Sequence, residues 1–320
     1  MILEVDRLNV QFPARQGILT AVNDVSLSID AGEVLGVVGE SGAGKTLTGL
    51  AIIGLLEPPG RIASGEVRLE GRRIDHLPHE ELRRVRGRRI GMVFQDPLTS
   101  LNPLYTIGEQ IEETILTHLS LGRPQAHARA LSLLKEVGIP APESRYRHYP
   151  HQFSGGMRQR VVIALALAAD PSLLIADEPT TALDVSIQAQ IIALLKGLAR
   201  ERGTAVMLIT HDMGVIAETA HRVAVMYAGR IVEIGPVREV IHSPRHPYTA
   251  GLMGSIPKIL AGSRTRLAQI EGAMPRLNAI PAGCAFNPRC PKRFARCFVA
   301  RPELLAAGTT QAACWLHAPP

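Results

Sequence analysis

The chain has 320 residues, of which 46% are hydrophobic and 20% are charged. These fractions are ordinary for a globular protein and exclude a mainly disordered, collagen-like or coiled-coil chain. The longest uninterrupted apolar run, residues 161–169, is much shorter than the roughly 20 residues that a membrane helix needs. The first ten residues lack a basic-then-apolar leader, so we expect no secretory signal and a soluble, cytoplasmic protein.

The net charge of +6 resides in the last 60 residues. Residues 261–320 hold eight basic and two acidic side chains, so the first 260 residues are neutral. A basic tail could bind nucleic acid or anionic lipid. We favour a second interpretation, in which the arginines are solvated or offset the charge of an anionic metal cluster. The arginine-rich run 83–89 has no interleaved aromatic residues, so we interpret it as a solvated linker.

Apolar patterns predict the following elements in chain order. Strands are expected over residues 2–12, 22–30, 34–39, 65–71, 90–95, 173–177 and 205–210, and a hairpin over 223–234 with its turn at Ala228–Gly229. A helix is expected from Leu47 to Leu56, and mainly helices between 106 and 169. From Ser243 the prolines recur and the periodicity fades. The sequence therefore predicts an α/β fold with a parallel core sheet, an attached antiparallel sheet and a loop-rich tail.

A glycine-rich segment follows the continuous apolar strand at 34–39. The segment matches the pattern G-x-x-x-x-G-K-[ST], in which backbone N–H groups at a helix N-terminus surround phosphate oxygens. We expect Lys45 to reach the terminal phosphates and the Thr46 hydroxyl to bind Mg²⁺. The predicted phosphate loop comprises Gly39, Glu40, Ser41, Gly42, Ala43, Gly44, Lys45 and Thr46.

Two carboxylates follow another buried strand, LLIAD. Asp177 ends this strand and is expected to hold Mg²⁺, directly or through water. Glu178 follows and is expected to polarise an attacking water as a general base. The alternative is an acidic turn that only caps the next helix.

Polar groups also follow other apolar segments. Gln95 ends the predicted strand at 90–95, and His211 follows the strand at 205–210. Ser154, Gly155 and Gly156 precede an apolar helical run and form a second anion-binding turn. The segment TALD (181–184) follows the acid pair. Ligand sites of α/β sheets lie at the carboxyl edge, where such groups meet.

In this order, the motifs GESGAGKT, Gln95, FSGGM, LLIADE, TALD and His211 resemble the nucleotide-binding subunit of ATP-binding cassette (ABC) transporters. The resemblance covers residues 1 to about 240. It implies an ABC-type domain over 1–242, with a helical, signature-bearing subdomain over about 97–168 and a separate extension over 243–320. In that family, ATP binds between two cassettes arranged head to tail.

The resemblance also implies roles for single residues. Glu178 would be the base, His211 would contact the γ-phosphate, and Gln95 would sense Mg²⁺ and contact the membrane partner. Asp184 would lie at the dimer seam, and Ser154–Gly156 would complete the other subunit's site. Phe12 occupies the place of the adenine-stacking aromatic, which is usually tyrosine. The signature has Met157 where glutamine is commoner.

Four cysteines lie in the tail with the spacing C-x5-C-x6-C-x16-C, at Cys284, Cys290, Cys297 and Cys314. Neither the tight pairs of zinc ribbons nor a ferredoxin spacing is present. The spacing alone favours a metal and leaves free thiols and disulfides open.

Segments 243–257 and 283–316 are similar to the C-terminal region of di- and oligopeptide importer ATPases. This resemblance implies a [4Fe–4S] cluster on the four cysteines, with Zn²⁺ as the alternative. Nickel-importer ATPases share the same plan.

The expected function is an ATPase that energises di- or oligopeptide import, at the cytoplasmic face of the inner membrane. Its expected partners are a second ABC ATPase subunit, two transmembrane permease subunits and, indirectly, an extracytoplasmic solute-binding protein, with no nucleic acid. The alternatives are an importer of nickel or another small solute, a soluble ABC-type ATPase that acts on nucleic acid or ribosomes, and a metal-sensing regulator.

Overall fold

The computed structural model of the protein describes residues 1–15, 17–181, 183–255 and 269–318. Ala182 of the TALD segment, the last two residues of segment 243–257, and two of the tail arginines, Arg264 and Arg266, lie outside the described residues.

The described residues form α-helices and β-strands, and the strands pair both in parallel and antiparallel. The strands are β1 (Leu3–Ala14), β2 (Gly17–Ile29), β3 (Val34–Val38), β4 (Arg61–Leu69), β5 (Arg72–Arg73), β6 (Ile90–Val93), β7 (Leu173–Asp177), β8 (Ala205–Ile209), β9 (Arg222–Tyr227), β10 (Arg230–Pro236), β11 (Leu305–Ala307) and β12 (Thr310–Ala312). The helices are α1 (Lys45–Ile53), α2 (His79–Val85), α3 (Pro97–Ser100), α4 (Ile107–His118), α5 (Arg123–Glu136), α6 (Pro142–Arg145), α7 (Gly155–Ala166), α8 (Val185–Arg202), α9 (Met213–Thr219), α10 (Val237–His242), α11 (Pro247–Gly254) and α12 (Ala295–Val299). The predicted α/β class is confirmed.

The chain divides into two compact units, each made of several segments. Unit 1 comprises Met1–Leu3, Ile29–Val34 and Leu69–Leu208, and unit 2 comprises Glu4–Ser28, Leu35–Arg68 and Ile209–Pro320. The sequence prediction instead divided the chain after residue 242.

Unit 1 contains parallel strands in the order β8–β7–β6, and β6 and β7 pair in parallel with Val93 opposite Ala176. All five residues of β7 are buried, because helices cover both faces of such a sheet. The helix α7 packs against β6, α3, α4 and α5. At its start α4 has a capping box, in which Thr106 and Glu109 bond each other's backbone N–H groups.

Unit 2 contains the strand order β11–β12–β10–β9–β3. Strand β3 pairs in parallel with β9, whereas β9 and β10 form the predicted antiparallel hairpin. Its turn lies at Ala228–Gly229, as predicted, and both residues have positive φ angles. The strands β2, β1 and β4 of this unit form a second sheet in that order.

The chain after Ser243 holds more regular structure than its sequence pattern predicts. Strand β12 pairs with β10, with Ala312 opposite Glu233, and β11 pairs with β12. Each of these strands has only three residues, which is too short for an alternating pattern to be recognised. A buried aromatic group, formed by Tyr227, Tyr248 and Phe286, packs this region against the hairpin, with ring centroids 4.6–5.4 Å apart.

Candidate functional site

The phosphate loop, residues 39–46, joins β3 to α1 within unit 2. Gly39, Gly42 and Gly44 have φ angles of 155°, 80° and 101°, which side-chain-bearing residues rarely adopt. A Cβ atom on Gly39 would lie 2.3 Å from the carbonyl oxygen of Met226. A Cβ atom on Gly44 would lie 3.0 Å from the carbonyl oxygen of Ala21. Both positions therefore require glycine.

The lysine of the loop is folded back onto its backbone. Lys45 Nζ donates hydrogen bonds to the carbonyl oxygens of Gly39 at 2.9 Å and Glu40 at 3.1 Å, and the residue is 6% exposed. The loop surrounds the N-terminus of α1, whose first turn contains no acidic side chain. The helix dipole and the lysine together favour an anion here. Ser41 and Thr46 are exposed, and Ala43 is buried.

Two other predicted nucleotide contacts lie in unit 2. His211 is exposed and follows β8, one residue before Asp212, whose carboxylate caps α9. Phe12 lies half-buried in β1. Its ring contacts Gly60, where a Cβ would lie 2.5 Å from the ring.

The predicted base and the predicted glutamine are hydrogen-bonded to each other in unit 1. Gln95 Nε2 donates to Glu178 Oε2 at 3.2 Å, and Thr181 Oγ1 donates to the same oxygen at 2.8 Å. Since Val93 and Ala176 are register partners on parallel strands, the residues two positions further lie at the same sheet edge. Glu178 has a φ angle of 46°, an uncommon value that is typical of functional sites. Asp177 is the buried last residue of β7.

Four further predicted residues lie at the beginnings of helices in unit 1. The Ser154 side chain caps α7, and the Asp184 carboxylate caps α8 by accepting from the Ile187 N–H at 3.0 Å. A Cβ on Gly156 would lie 2.7 Å from the Ile187 side chain, whereas one on Gly155 would meet nothing within 4 Å. Ser154, Gly155 and Asp184 are exposed. The signature turn, Ser154–Gly156, thus presents an open helix N-terminus.

The predicted nucleotide residues are divided between the units. Unit 2 contains the phosphate loop, Phe12 and His211, and unit 1 contains Gln95, Asp177, Glu178, Asp184 and the signature turn. Sequence reasoning missed Thr181 as a partner of Glu178, although it begins the TALD segment.

All four cysteines line one narrow cavity in unit 2, and they form no disulfide. Burial raises the pKa of Cys284 to about 11 and raises the pKa values of Cys290 and Cys314. Each of these three sulfurs accepts a backbone N–H from the residue two positions later, namely Phe286, Lys292 and Leu316. Such bonds stabilise a thiolate. Among the described residues, no three His, Cys, Asp or Glu side chains form a ready-made site for one metal ion.

Most of the tail's described basic side chains contact protein groups. Arg296 lies over the Trp315 ring at 3.7 Å, Arg293 donates to the Pro288 carbonyl oxygen, and Arg301 donates to Asn23. Arg289 is 7% exposed and pairs with Glu40. These contacts do not form an open phosphate-binding face.

The arginine-rich run 83–89 is also partly bonded within unit 1. Arg88 donates to the Ala169 carbonyl oxygen, Arg89 pairs with Glu70, and Arg83 pairs with Glu80. These contacts weaken the nucleic-acid interpretation of the run. In the part of the chain that the structure describes, no helix has the length and apolar character to cross a membrane.

Comparisons with known proteins agree with this geometry. A family model described as ABC transporter matches residues 22–181, and one described as the C-terminal region of oligopeptide/dipeptide transporters matches residues 232–297. The Escherichia coli dipeptide transport ATP-binding protein DppD is 48% identical over 95% of this chain and 92% of that protein. The Bacillus subtilis oligopeptide transport ATP-binding protein OppD is 51% identical over 90% of this chain and 81% of that protein.

Solved cassettes have the same fold. The ATP-binding cassette MJ0796, in a dimeric post-hydrolysis structure with ADP and Pi, is 33% identical, with a TM-score of 0.67 over 74% of this chain and 99% of that chain. The structure of cbiO1 from Clostridium perfringens, part of the ABC transporter complex cbiONQ, is 29% identical, with a TM-score of 0.65 over 76% of this chain and 91% of that chain. This chain therefore belongs to the ABC transporter family as an ATPase that uses ATP and Mg²⁺, and it carries the oligopeptide/dipeptide C-terminal region.

Proposed function

We propose that the chain is the ATP-hydrolysing subunit of an importer of dipeptides or oligopeptides across the cytoplasmic membrane. The observation that carries this proposal is the match of residues 232–297 to the C-terminal region of peptide transporters. Relatives named for dipeptide and oligopeptide transport are 48% and 51% identical to the chain, which supports the same solute class.

In this proposal Glu178 is the general base for hydrolysis. The hydrogen bonds from Gln95 and Thr181 fix the orientation of its carboxylate, so that a water beside it loses a proton in a defined direction. Lys45 leaves the loop carbonyls and neutralises the terminal phosphates, and His211 contacts the γ-phosphate. Phe12 stacks on the adenine.

We assign Mg²⁺ to three oxygen-bearing side chains: the Thr46 hydroxyl, the Gln95 amide and the Asp177 carboxylate. Mg²⁺ prefers oxygen ligands of these kinds. When bound, it would neutralise charge on the phosphate oxygens.

A second cassette, identical or homologous, completes each ATP site in this proposal. The signature turn is exposed and open at Gly155, so its backbone N–H groups can reach a phosphate on another molecule. Asp184 lies at the seam. A neighbour with the same fold has been solved as a dimer, which supports this arrangement.

The membrane partners are two permease subunits, with an extracytoplasmic solute-binding protein acting through them. Apolar side chains close to Gln95 in sequence are unusually exposed: Phe94 is 40%, Leu98 63% and Leu104 80% exposed. Such an apolar group marks an interaction surface. We place the subunit on the cytoplasmic face of the membrane as a peripheral protein.

We propose that the four cysteines hold a [4Fe–4S] cluster, as the resemblance of the tail to peptide importer ATPases implies. They share one cavity, and three of the sulfurs accept backbone N–H bonds, which tune cluster-bound thiolates. Burial raises the pKa of Cys290, and the charges of Arg293 and Lys292 offset part of this rise and so favour its thiolate. These positive charges would stabilise an anionic cluster.

Four thiolates suit either an iron–sulfur cluster or one zinc ion. We assign the cluster because the tail resembles that of peptide importer ATPases. Zn²⁺ remains the alternative that metal analysis would reveal.

We retain the division of the sequence into an ABC domain, 1–242, and an extension, 243–320.

The test is uptake by cells of the source organism that lack the gene. We expect these cells to lose uptake of a radiolabelled dipeptide and tripeptide, and to regain it with the wild-type gene but not with Glu178→Gln. Nickel-63 uptake is measured in the same cells. Loss of nickel uptake with peptide uptake intact would contradict the peptide assignment, and intact uptake of both would contradict the importer assignment.

A further inference from the structure

Glu40, the second residue of the phosphate loop, is bonded through three different groups. Its carbonyl oxygen accepts from Lys45 Nζ at 3.1 Å. Its backbone N–H donates to Tyr248 Oη at 3.0 Å. Its carboxylate accepts from Arg289 Nη1, with oxygen distances of 3.0 and 3.1 Å. Two of the three partners come from the chain after Ser243, more than 200 positions away in sequence.

Both distant partners are themselves firmly held. Tyr248 is 0% exposed and packs between Tyr227 and Phe286. Arg289 is 7% exposed, and its remaining N–H groups donate to the carbonyl oxygens of Glu271 at 2.9 Å and Ile270 at 3.4 Å. Buried groups with several partners restrict the motion of whatever they bond, because breaking one bond leaves a desolvated polar group.

A third contact lies further along the loop. The methyl group of Met274 lies close to Gly42, since a Cβ atom added to Gly42 would be 3.2 Å from that methyl group. Met274 therefore lies against the loop, and Arg289 holds residues 270 and 271 shortly before it through bonds to their carbonyl oxygens.

We infer that Arg289 and Tyr248 are positioning residues of the ATP site, which act on the triphosphate through Glu40. The phosphate loop binds with its backbone N–H groups, so affinity depends on the loop having its bound shape before ATP arrives. Tyr248 fixes the N–H side of Glu40 and Arg289 fixes its carboxylate. The extension is thus part of the nucleotide-binding machinery.

The inference rests on the proposed role of residues 39–46, and the experiment separates the two. Binding of AMP-PNP with Mg²⁺ to the full-length chain is measured by calorimetry. Lys45→Ala should abolish measurable binding, and retained wild-type affinity in that variant would contradict the proposed site itself. Arg289→Met should raise Kd about tenfold, and Tyr248→Phe, which removes only the hydroxyl, about fivefold.

Arg301→Met is the matched control, because it removes the same charge from the same extension and Arg301 donates to Asn23 instead. Its Kd should equal that of the wild type. Arg289→Lys, which keeps the charge beside Glu40, should recover part of the lost affinity. Thermal unfolding and iron content are recorded for every variant.

A double-variant cycle with Glu40→Gln shows whether Arg289 acts through Glu40. We expect the effects of Glu40→Gln and Arg289→Met on Kd to be non-additive, with the double variant close to Arg289→Met alone. The inference is overturned if Arg289→Met and Tyr248→Phe lower the melting temperature and leave Kd unchanged. It is also overturned if the two effects simply add.

Discussion

The phosphate loop and the cysteine segment are binding elements of opposite construction. The loop is eight consecutive residues that bind with backbone groups, and its shape depends on glycines at Gly39 and Gly44. The proposed cluster would be held by cysteine side chains spread over residues 284–314. The shape of the cysteine segment depends on contacts elsewhere, including Phe286 and Tyr248. The contiguous loop has its turn geometry in its own glycines and is held from outside only at Glu40 and Gly42, whereas the dispersed site depends on the surrounding fold at every ligand position.

The largest expected effect concerns the base and tests the nucleotide element. Glu178→Gln should keep ATP binding and lower turnover by about 10²–10⁴-fold, because the amide cannot accept a proton. ATPase rate and ATP affinity are measured in the assembled transporter. The control is Glu201→Gln, an exposed glutamate that pairs with Arg200. Turnover at the parental rate in Glu178→Gln would show that another group is the base.

The second prediction tests the cysteine element. Cys284→Ser should reduce bound iron and sulfide to a trace after anaerobic purification, since a lost ligand costs more than the 10–100-fold of a lost supporting bond. Stability should fall before ATP binding is affected. Ala285→Ser adds a hydroxyl at the neighbouring position and should keep the iron. A colourless protein that contains stoichiometric zinc, or no metal, would contradict the cluster.

The third prediction separates function from packing within the signature turn. Gly155→Ala adds a methyl group in open space, so the melting temperature should not fall. The ATPase rate should nevertheless fall by about a hundredfold, because the added methyl group would displace the triphosphate bound by the partner cassette. Gly156→Ala should instead destabilise the fold by about 1–3 kcal/mol, because Ile187 must move. Unchanged ATPase activity in Gly155→Ala would argue against a site across the dimer.

The smallest effect concerns acid stability of the extension. Burial lowers the pKa of His246 to about 3, and its Nδ1 accepts from the Tyr248 N–H. The unfolded chain takes up a proton below pH 6.5 and the folded chain does not, so stability falls as the pH drops from 6.5 towards 3. The loss at pH 5 is about 2 kcal/mol.

His246→Asn keeps a capping acceptor and removes this titration. Its melting temperature should fall less than that of the wild type between pH 7.5 and 5. The groups that face His246 are the Glu233 carboxylate, which accepts its backbone N–H, and His317. His79→Asn, at an exposed position, should behave as the wild type does. Equal pH dependence in wild type and His246→Asn would contradict the prediction.

The sequence predicted those elements whose pattern is local. The strands at 34–38, 173–177 and 205–209 are continuous apolar runs, and the structure has them within one residue of the prediction. The sequence also predicts Gln95 and Glu178 at the carboxyl edge of the sheet, and the structure shows a hydrogen bond between them. The position of each of these elements is predicted by neighbouring residues, whereas the bond itself joins residues 83 positions apart.

The sequence could not predict contacts between residues that are distant along the chain. Nothing near Arg289 indicates Glu40 as its partner, and the tail arginines were interpreted as charges for a cluster or for solvent. Strand β12 was missed because three residues are too few for a pattern. Ser154 and Asp184 stay predicted nucleotide contacts, and nothing in their sequence pattern led us to expect that both cap helices.

Arg289 immediately precedes Cys290, and this adjacency has a thermodynamic consequence. In the inference above, the contact of Arg289 with Glu40 stabilises the nucleotide-bound shape of the phosphate loop. Thermodynamic linkage then requires that bound nucleotide stabilises this contact by the same free energy. ATP would therefore stabilise the backbone at residues 289 and 290. Amide hydrogen exchange there should slow when nucleotide is added, so one end of the extension would report the occupancy of a loop almost 250 positions earlier in the sequence.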